Sequence, residues 1–196
     1  MSDQLTTKRG FSTTDIVVTG LFSALVFVAS LISIDIPTAL GNTRIHLGNV
    51  LCLLSGLLLG PLRGGLAAGI GSALFDLTNP LYTPDAPFTF AFKFTMAFVC
   101  GIISKRGRTG RRIGFDIAGA ISGALCYVTL YLTKNWLEGV YFKLLTPDAA
   151  WLGISVKAPV SLVNAAIAVA AAVPLALALR RALRGIPLYR RISGAG

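Results

Sequence analysis

The stretch from Thr43 to Leu77, TRIHLGNVLCLLSGLLLGPLRGGLAAGIGSALFDL, decides the fold class of this chain. Between Gly48 and Asp76 the only charged side chains are Arg63 and Asp76 itself. The stretch predicts two helices, and neither has the polar face that a soluble helix turns to water. Such helices lie in lipid or wholly inside other helices. Their many glycine, alanine and serine residues favour the close backbone approach of membrane helix interfaces.

The composition of the whole chain agrees with a membrane protein. Of its 196 residues 54% are hydrophobic and only 13% are charged, whereas about a quarter of a soluble domain is charged. The length leaves room for roughly six spans of about 20 residues each. We therefore expect a single membrane domain without a large extramembrane domain.

Apolar runs bounded by proline, glycine and charge predict six helices. They cover residues 15–34, 48–60, 65–77, 88–104, 113–132 and 156–183. Ser12 or Thr13 is expected to cap the first helix, Pro37 to mark its end, and 61–64 to form a minimal turn. Residues 133–155 are predicted to be a long amphipathic connection whose aromatic side chains settle at the membrane surface.

The fold class predicted is therefore all-α, a polytopic membrane protein built as a bundle of six transmembrane helices. The substrate-binding transmembrane domain would cover 15–184. It would follow a cytoplasmic N-terminal segment, 1–14, and precede a basic cytoplasmic tail, 185–196.

Basic residues are concentrated in alternate connections, which predicts that both termini are cytoplasmic. These connections hold 13 of the 18 basic residues: Lys8, Arg9, Arg63, Lys105, Arg106, Arg108, Arg111, Arg112, Arg180, Arg181, Arg184, Arg190 and Arg191. Asp116 is interpreted as an acid in the first turn of its helix, where the helix dipole favours negative charge. The proline-rich connections would then lie outside the cell.

Several function classes are not expected. The net charge of +10 is explained by the cytoplasmic loops, and no aromatic stacking platform for nucleic acid accompanies it. With one histidine and one glutamate, the chain has no HExxH motif, and it has no GxSxG or Walker A motif. The three cysteines lie in apolar segments at spacings unlike a metal site. We expect no enzyme activity, no metal and no cofactor held by this chain.

A polar set at the outer ends of the predicted helices remains as the candidate binding site, because ionisable groups in membrane spans usually face a cavity. Its members are Arg44, His46, Asn49, Asp76, Asn79, Tyr82, Lys93, Lys157 and Asn164. Each has a structural alternative. Lys93 and Lys157 could extend to the interface, Asp76 could pair with one of them, and Tyr82 could be an interfacial anchor.

Taken together, these features resemble the substrate-binding S component of energy-coupling-factor (ECF) transporters for vitamins and other micronutrients. The resemblance covers 14–183 and is distinctive over 43–93. The segments that carry it are the run IHLGNVLCLLSGLLLGPLRGGLAAGIGSALFDL, Gly20-x-x-x-Ala24, Pro87 to Phe90, and Lys157-x-Pro159 leading into Asn164.

The resemblance implies capture of a vitamin or related micronutrient on the external side of a prokaryotic plasma membrane. Small residues of helix 1, here Gly20 and Ala24, would dock on a transmembrane coupling subunit driven by two ATPase subunits, so that ATP is used by the partners. The family's alanine-x-x-x-alanine docking motif is present only in this glycine–alanine form.

The substrate and one other function remain open at this point. Two basic residues facing the site would suit a carboxylate-bearing ligand such as pantothenate, biotin or lipoate. A heteroaromatic vitamin such as riboflavin or a pyridoxine is the other possibility. The alternative to an S component is a self-contained small-molecule channel or secondary transporter.

Overall fold

The computed structural model describes residues 11–36, 43–107, 112–183 and 185. In these residues the chain forms six α-helices and one antiparallel β-hairpin. The elements are α1 (Thr13–Leu31), β1 (Ser33–Ile36), β2 (Thr43–His46), α2 (Gly48–Leu59), α3 (Pro61–Leu77), α4 (Ala86–Arg106), α5 (Arg112–Leu137) and α6 (Pro147–Leu183). A short 3-10 turn, Thr83–Asp85, precedes α4, and a π-helical turn, Glu138–Phe142, follows α5.

Some predictions fall on residues outside these ranges. They concern most of the N-terminal segment 1–14, nearly all of the tail 185–196, the helix stop at Pro37, and seven of the basic residues used for orientation. Those seven are Lys8, Arg9, Arg108, Arg111, Arg184, Arg190 and Arg191.

Four helical segments are long and apolar enough to cross a membrane, which agrees with a mainly helical membrane protein. They are Thr13–Leu31, Thr83–Arg106, Ile113–Phe142 and Pro147–Leu183. Helices α2 and α3 have 12 and 17 residues, fewer than the roughly 20 of an upright span. A topology of six transmembrane spans stays a prediction.

Helix α2 forms the centre of the bundle and packs against all five other helices. Eleven of its 12 residues are buried, which confirms that it lies inside other helices. Close approach depends on Gly56, since a side chain there would collide with the backbone carbonyl of Ala97 on α4. The small residues of this helix therefore serve packing, as the sequence indicated.

The link between α2 and α3 is tighter than predicted. Gly60, with φ of 84°, reverses the chain alone, because glycine adopts this left-handed region without a steric penalty. Pro61 then occupies the first turn of α3, where its missing N–H costs nothing. The prediction of a turn over 61–64 is therefore wrong, and these residues are helical.

The first helix is shorter than predicted, and the all-α description needs one addition. Ser12 and Asp15 form the expected cap at its start, but α1 ends at Leu31 instead of residue 34. The next residues pair as a strand, from Ser33 opposite His46 to Ile36 opposite Thr43. The β-branched side chains in both segments fit a pleated ribbon better than a helix end.

The long connection predicted over 133–155 is also wrong. Helix α5 and its π-helical turn continue to Phe142, and α6 starts at Pro147, so only four residues separate them. Lys134 and Glu138, one helical turn apart, form an ion pair of 2.5 Å that supports the extension of α5. The rings of Trp136 and Trp151, 6.1 Å apart, join the two helices near their tip.

A cationic cavity beside the β-hairpin

A cavity of about 230 Å³ lies between the β-hairpin, the segment that joins α3 to α4, and helices α3 to α6. Its lining is rich in aromatic and charged side chains. The residues around it are Ser30, Thr43, Arg44, His46, Ser72, Phe75, Asp76, Leu81, Tyr82, Asp85, Phe88, Thr89, Phe92, Lys93, Tyr127, Tyr131, Lys134, Asn135, Glu138, Lys143, Lys157, Ser161 and Asn164.

Seven of the nine predicted site residues line this cavity: Arg44, His46, Asp76, Tyr82, Lys93, Lys157 and Asn164. Asn49 lies directly behind it, 1% exposed, with its amide oxygen bonded to Lys93. Asn79 is not part of the lining, because its side chain accepts a hydrogen bond from the Leu81 N–H at 3.1 Å and shapes the loop. A role of these residues in ligand binding remains a prediction.

Arg44, on β2, connects the hairpin to the helices. Its guanidinium lies 3.7 Å from Asp35 on β1 and 3.6 Å from Asp76 on α3. It also stacks over the rings of Tyr82 and Phe75, with its central carbon 3.5 and 4.8 Å from their centroids. The planar, always charged guanidinium suits such combined pairing and stacking, so Arg44 fixes one wall of the cavity.

Tyr82 completes this wall. Its hydroxyl donates a hydrogen bond of 3.2 Å to Asp35. Burial raises the pKa of Tyr82, so the phenol stays protonated and able to donate at neutral pH. The wall therefore contains two acids and two aromatic rings, all in contact with one guanidinium.

Lys93, on α4, is a buried cation with neutral partners. It is 2% exposed, donates to the side-chain oxygen of Asn49, and lies 3.6 Å from the centroid of the Tyr127 ring. Among the described residues, no carboxylate comes within 4.0 Å of its ammonium group. A buried charge without an ionic partner is costly, which marks this position as unusual.

Lys157, on α6, has the same kind of environment. It is 5% exposed and donates to the side-chain oxygen of Asn135 on α5 at 2.6 Å. Two turns deeper, the Asn164 amide lies 3.5 Å from the Arg44 carbonyl oxygen and so links α6 to the hairpin. In the part of the chain that is described, Lys157 too lacks an acid within ion-pair distance.

The remaining lysines of the cavity are paired with acids. Lys134 lies 2.5 Å from both Asp85 and Glu138, and Lys143 lies 3.3 Å from Glu138. These contacts join the segment before α4 to the end of α5. They close the rim of the cavity with matched charge.

His46 contributes a neutral imidazole. Burial, together with the charges of Lys93 and Arg44, lowers its pKa well below 6.5, so that the ring is uncharged at pH 7. Its Nδ1 atom is buried with no hydrogen-bond partner among the described residues. The ring fits beside the start of α2 because Gly48 has no side chain, and an added Cβ would lie 2.7 Å from that nitrogen.

Helix α5 supplies four of the lining residues that the sequence analysis did not single out. Tyr127, Tyr131, Lys134 and Asn135 all face the cavity, and their spacing of three, four and seven places them on one helical face. That spacing was the available signal. This spacing is not used in the sequence analysis, because Lys134 and Asn135 are placed there in a connection beyond the predicted end of this helix.

The chemistry of the cavity is that of binding. It offers aromatic faces for a ring system and buried ammonium and amide donors for acceptor groups. Among the described residues there is no group of three or more histidine, cysteine or acidic side chains that could hold a metal ion.

Two comparisons place the chain among known proteins. The family profile of the ECF-type riboflavin transporter, S component, matches residues 10–181. An uncharacterised protein of Pyrococcus woesei, described only by its location in the gap 3′ region, is 36% identical over 109 residues, which cover 55% of this chain and 70% of that protein.

The resemblance to ECF S components seen in the sequence is thereby confirmed. S components work with an ECF module and bind small-molecule substrates, and the family is one of transporter subunits, not a class of enzymes. The chain belongs to the ECF-type riboflavin transporter S component family and is a membrane-embedded, vitamin-type substrate-binding subunit of a transporter.

Proposed function

We propose that this chain captures riboflavin or a closely related flavin in the cavity beside the β-hairpin. The observation that carries the proposal is the combination of aromatic rings and buried donors in one small cavity. Phe75, Phe92, Tyr127 and Tyr131 offer faces for a flat heteroaromatic ring. Lys93, Lys157 and Asn164 border the cavity and would donate hydrogen bonds to ring carbonyls and chain hydroxyls. The description of the matching family names riboflavin.

A flavin fits this lining better than pantothenate, one of the carboxylate-bearing ligands suggested by the two lysines. Pantothenate has no ring to place against the aromatic side chains. The volume of about 230 Å³, just below the roughly 300–1,000 Å³ usual for small-molecule sites, leaves room for one ligand molecule and does not favour the flavin, which is the larger of the two. Pantothenate therefore belongs in the test panel as the comparison ligand.

We further propose that the cavity faces the outside of a prokaryotic plasma membrane and that both termini are cytoplasmic. The charge distribution of the sequence supports this orientation. In the folded chain the exposed residues Arg181, Lys105 and Arg106 lie at the ends of α6 and α4 remote from the cavity, which agrees with a basic cytoplasmic face. The six helices would then cross or enter the bilayer as one bundle.

Delivery inward would depend on a transmembrane coupling subunit and two ATPase subunits that bind and hydrolyse ATP. Gly20 and Ala24 are both exposed on α1, and nothing lies within 4 Å of a Cβ added at Gly20. Their neighbours Thr19, Ser23 and Val26 face the bundle. This arrangement supports an outward-facing docking surface on α1.

The docking proposal predicts a separation of binding from transport. Ala24→Trp should prevent co-purification with the coupling module while leaving ligand binding intact. Ile167→Trp, on the exposed face of α6, is the matched control and should not affect the complex. Equal loss of the complex in both variants would contradict docking through α1.

Binding itself is tested by mass spectrometry of small molecules released from the gently purified protein, beside a Lys157→Ala, His46→Ala double variant. We expect stoichiometric flavin in the wild type and its loss in the variant. If the wild type holds nothing after incubation with a vitamin panel that includes pantothenate, the proposal fails. That result would favour the alternative function, a channel or secondary transporter.

A further inference from the structure

Five cationic side chains line the cavity, and they fall into two classes by their partners. Arg44 is paired with Asp35 and Asp76. Two lysines of the rim form the rest of the paired class: Lys134 with Asp85 and Glu138, and Lys143 with Glu138. These three cations contact four acids, so each of them has an ionic partner within the protein.

Lys93 and Lys157 form the other class. Each donates to the side-chain oxygen of an asparagine, Asn49 or Asn135, and neither has an acid within 4.0 Å among the described residues. Both are at most 5% exposed, so bulk water does not stabilise their charge. An asparagine oxygen satisfies one donor of an ammonium group that has three.

A buried cation is stable only with a compensating partner. Both ammonium groups border a cavity whose other lining residues are aromatic rings, hydroxyl and amide side chains, His46 and the ion pairs described above. The described residues supply no acid within 4.0 Å of either ammonium group. A ligand bound in the cavity is in a position to supply that negative group. Charge-assisted hydrogen bonds, with one ionised member, are roughly twice as strong as neutral ones, so an ionised ligand group gains most there.

We infer that Lys93 and Lys157, and not Arg44 and Lys134, are the cations that the ligand meets, and that they make the site favour ligands with an anionic group. This inference rests on the proposed function, because it takes the cavity to be the vitamin site. The two lysine–asparagine pairs would then distinguish a neutral vitamin from its phosphorylated or carboxylated forms.

The test uses two ligands that differ by one phosphate group, riboflavin and flavin mononucleotide. Their dissociation constants are measured by calorimetric titration with the wild type, K93Q, K157Q and K134Q. We expect the dissociation constant of the mononucleotide, divided by that of riboflavin, to rise at least about tenfold in K93Q or in K157Q. This rise corresponds to about 1.4 kcal/mol. In K134Q both affinities should fall together, because that lysine holds the rim.

An unchanged ratio in both K93Q and K157Q would overturn the inference, as would an equal change in K134Q. K93R keeps the positive charge and should retain a ratio close to that of the wild type, which separates charge from folding defects. A wild type that binds neither flavin contradicts the proposed flavin function instead. The ratio is then measured with pantothenate and its neutral alcohol, pantothenol, and an unchanged ratio there would again overturn the inference.

Discussion

In the described part of the chain two buried clusters of charge, one at each end of the helices, are built differently. At the end remote from the cavity, Arg180 on α6 pairs with Asp116 on α5 and donates to the Leu57 carbonyl on α2 at 2.5 Å. Ser104 on α4 donates to the same aspartate at 2.5 Å. The cavity cluster, in contrast, contains Lys93 with an amide and a ring as its partners.

The difference shows what each cluster does. In the Asp116–Arg180 cluster one cation meets one anion, and the contacts join four helices, so its charge serves the fold. In the cavity, acid-free cations border open space, so part of the charge is available to a ligand. Lys93 and Arg180 are 2% and 5% exposed, so the burial of the two cations alone would not have separated the clusters.

Breaking the Asp116–Arg180 cluster should have the largest effect on stability. Asp116→Leu or Arg180→Met leaves one buried charge unpaired, and each should lower the free energy of unfolding by about 3–5 kcal/mol. The double variant removes both charges and should recover most of that loss. Thermal unfolding in detergent measures this, and single variants as stable as the wild type would contradict a structural ion pair.

In the cavity, the ring beside Lys93 should affect binding more than folding. Tyr127→Leu removes the aromatic face 3.6 Å from the ammonium group, and flavin affinity should fall about tenfold, or roughly 1–2 kcal/mol. Tyr127→Phe keeps the face and should bind nearly as the wild type does. An equal loss of flavin affinity in both variants would contradict the role of the ring and would assign the effect to the Tyr127 hydroxyl.

Arg44 should show a smaller effect, because Lys can replace its charge but not its planar stacking. Arg44→Lys retains the ion pairs with Asp35 and Asp76 but loses contact with the rings of Tyr82 and Phe75. We expect a two- to fivefold loss of flavin affinity, or about 0.5–1 kcal/mol. The control is Lys143→Arg at the exposed rim, for which no measurable loss is expected.

A pH dependence of stability from His46, the only histidine, is expected to be similar in size to the effect of Arg44→Lys. Its pKa is lowered in the fold from 6.5, so the unfolded chain takes up a proton first as the pH falls. Stability is therefore nearly complete one pH unit above 6.5 and decreases as the pH falls through that value, by about 0.8 kcal/mol at pH 6.0 with the folded ring neutral. His46→Gln should abolish this slope between pH 7 and 6, and a persisting slope would assign it elsewhere.

The comparison also shows which features of the fold and of the cavity could be predicted from the sequence. The central position of α2 followed from its lack of a polar face. Asp76, Lys93 and Lys157 were singled out because ionisable groups in apolar helices are costly, and all three line the cavity. Asp116 and Arg180 were interpreted from their own helix ends. Their pairing, 64 residues apart in sequence, depends on how α5 and α6 pack, and no local pattern encodes that.

Boundaries were missed where polar residues continue a helix beyond its apolar part. Residues after 132 are amphipathic in sequence. They are nevertheless helical, and two contacts stabilise the helix there: the ion pair of Lys134 with Glu138 and the packing of Trp136 on Trp151. The hairpin was missed because β1 and β2 have four residues each, and their pairing forms across a six-residue interval. Tertiary contacts decide such short elements.

The most direct test of the account compares the two clusters by riboflavin titration. One variant, N49L/K93M, replaces the lysine–asparagine pair of the cavity by apolar residues, and the other, D116L/R180M, replaces the ion pair of the remote cluster. We predict that both fold, that N49L/K93M loses at least about tenfold in affinity, and that D116L/R180M binds as the wild type does. Equal affinity in the two variants, or loss only in D116L/R180M, would contradict the assignment of binding to one cluster and folding to the other.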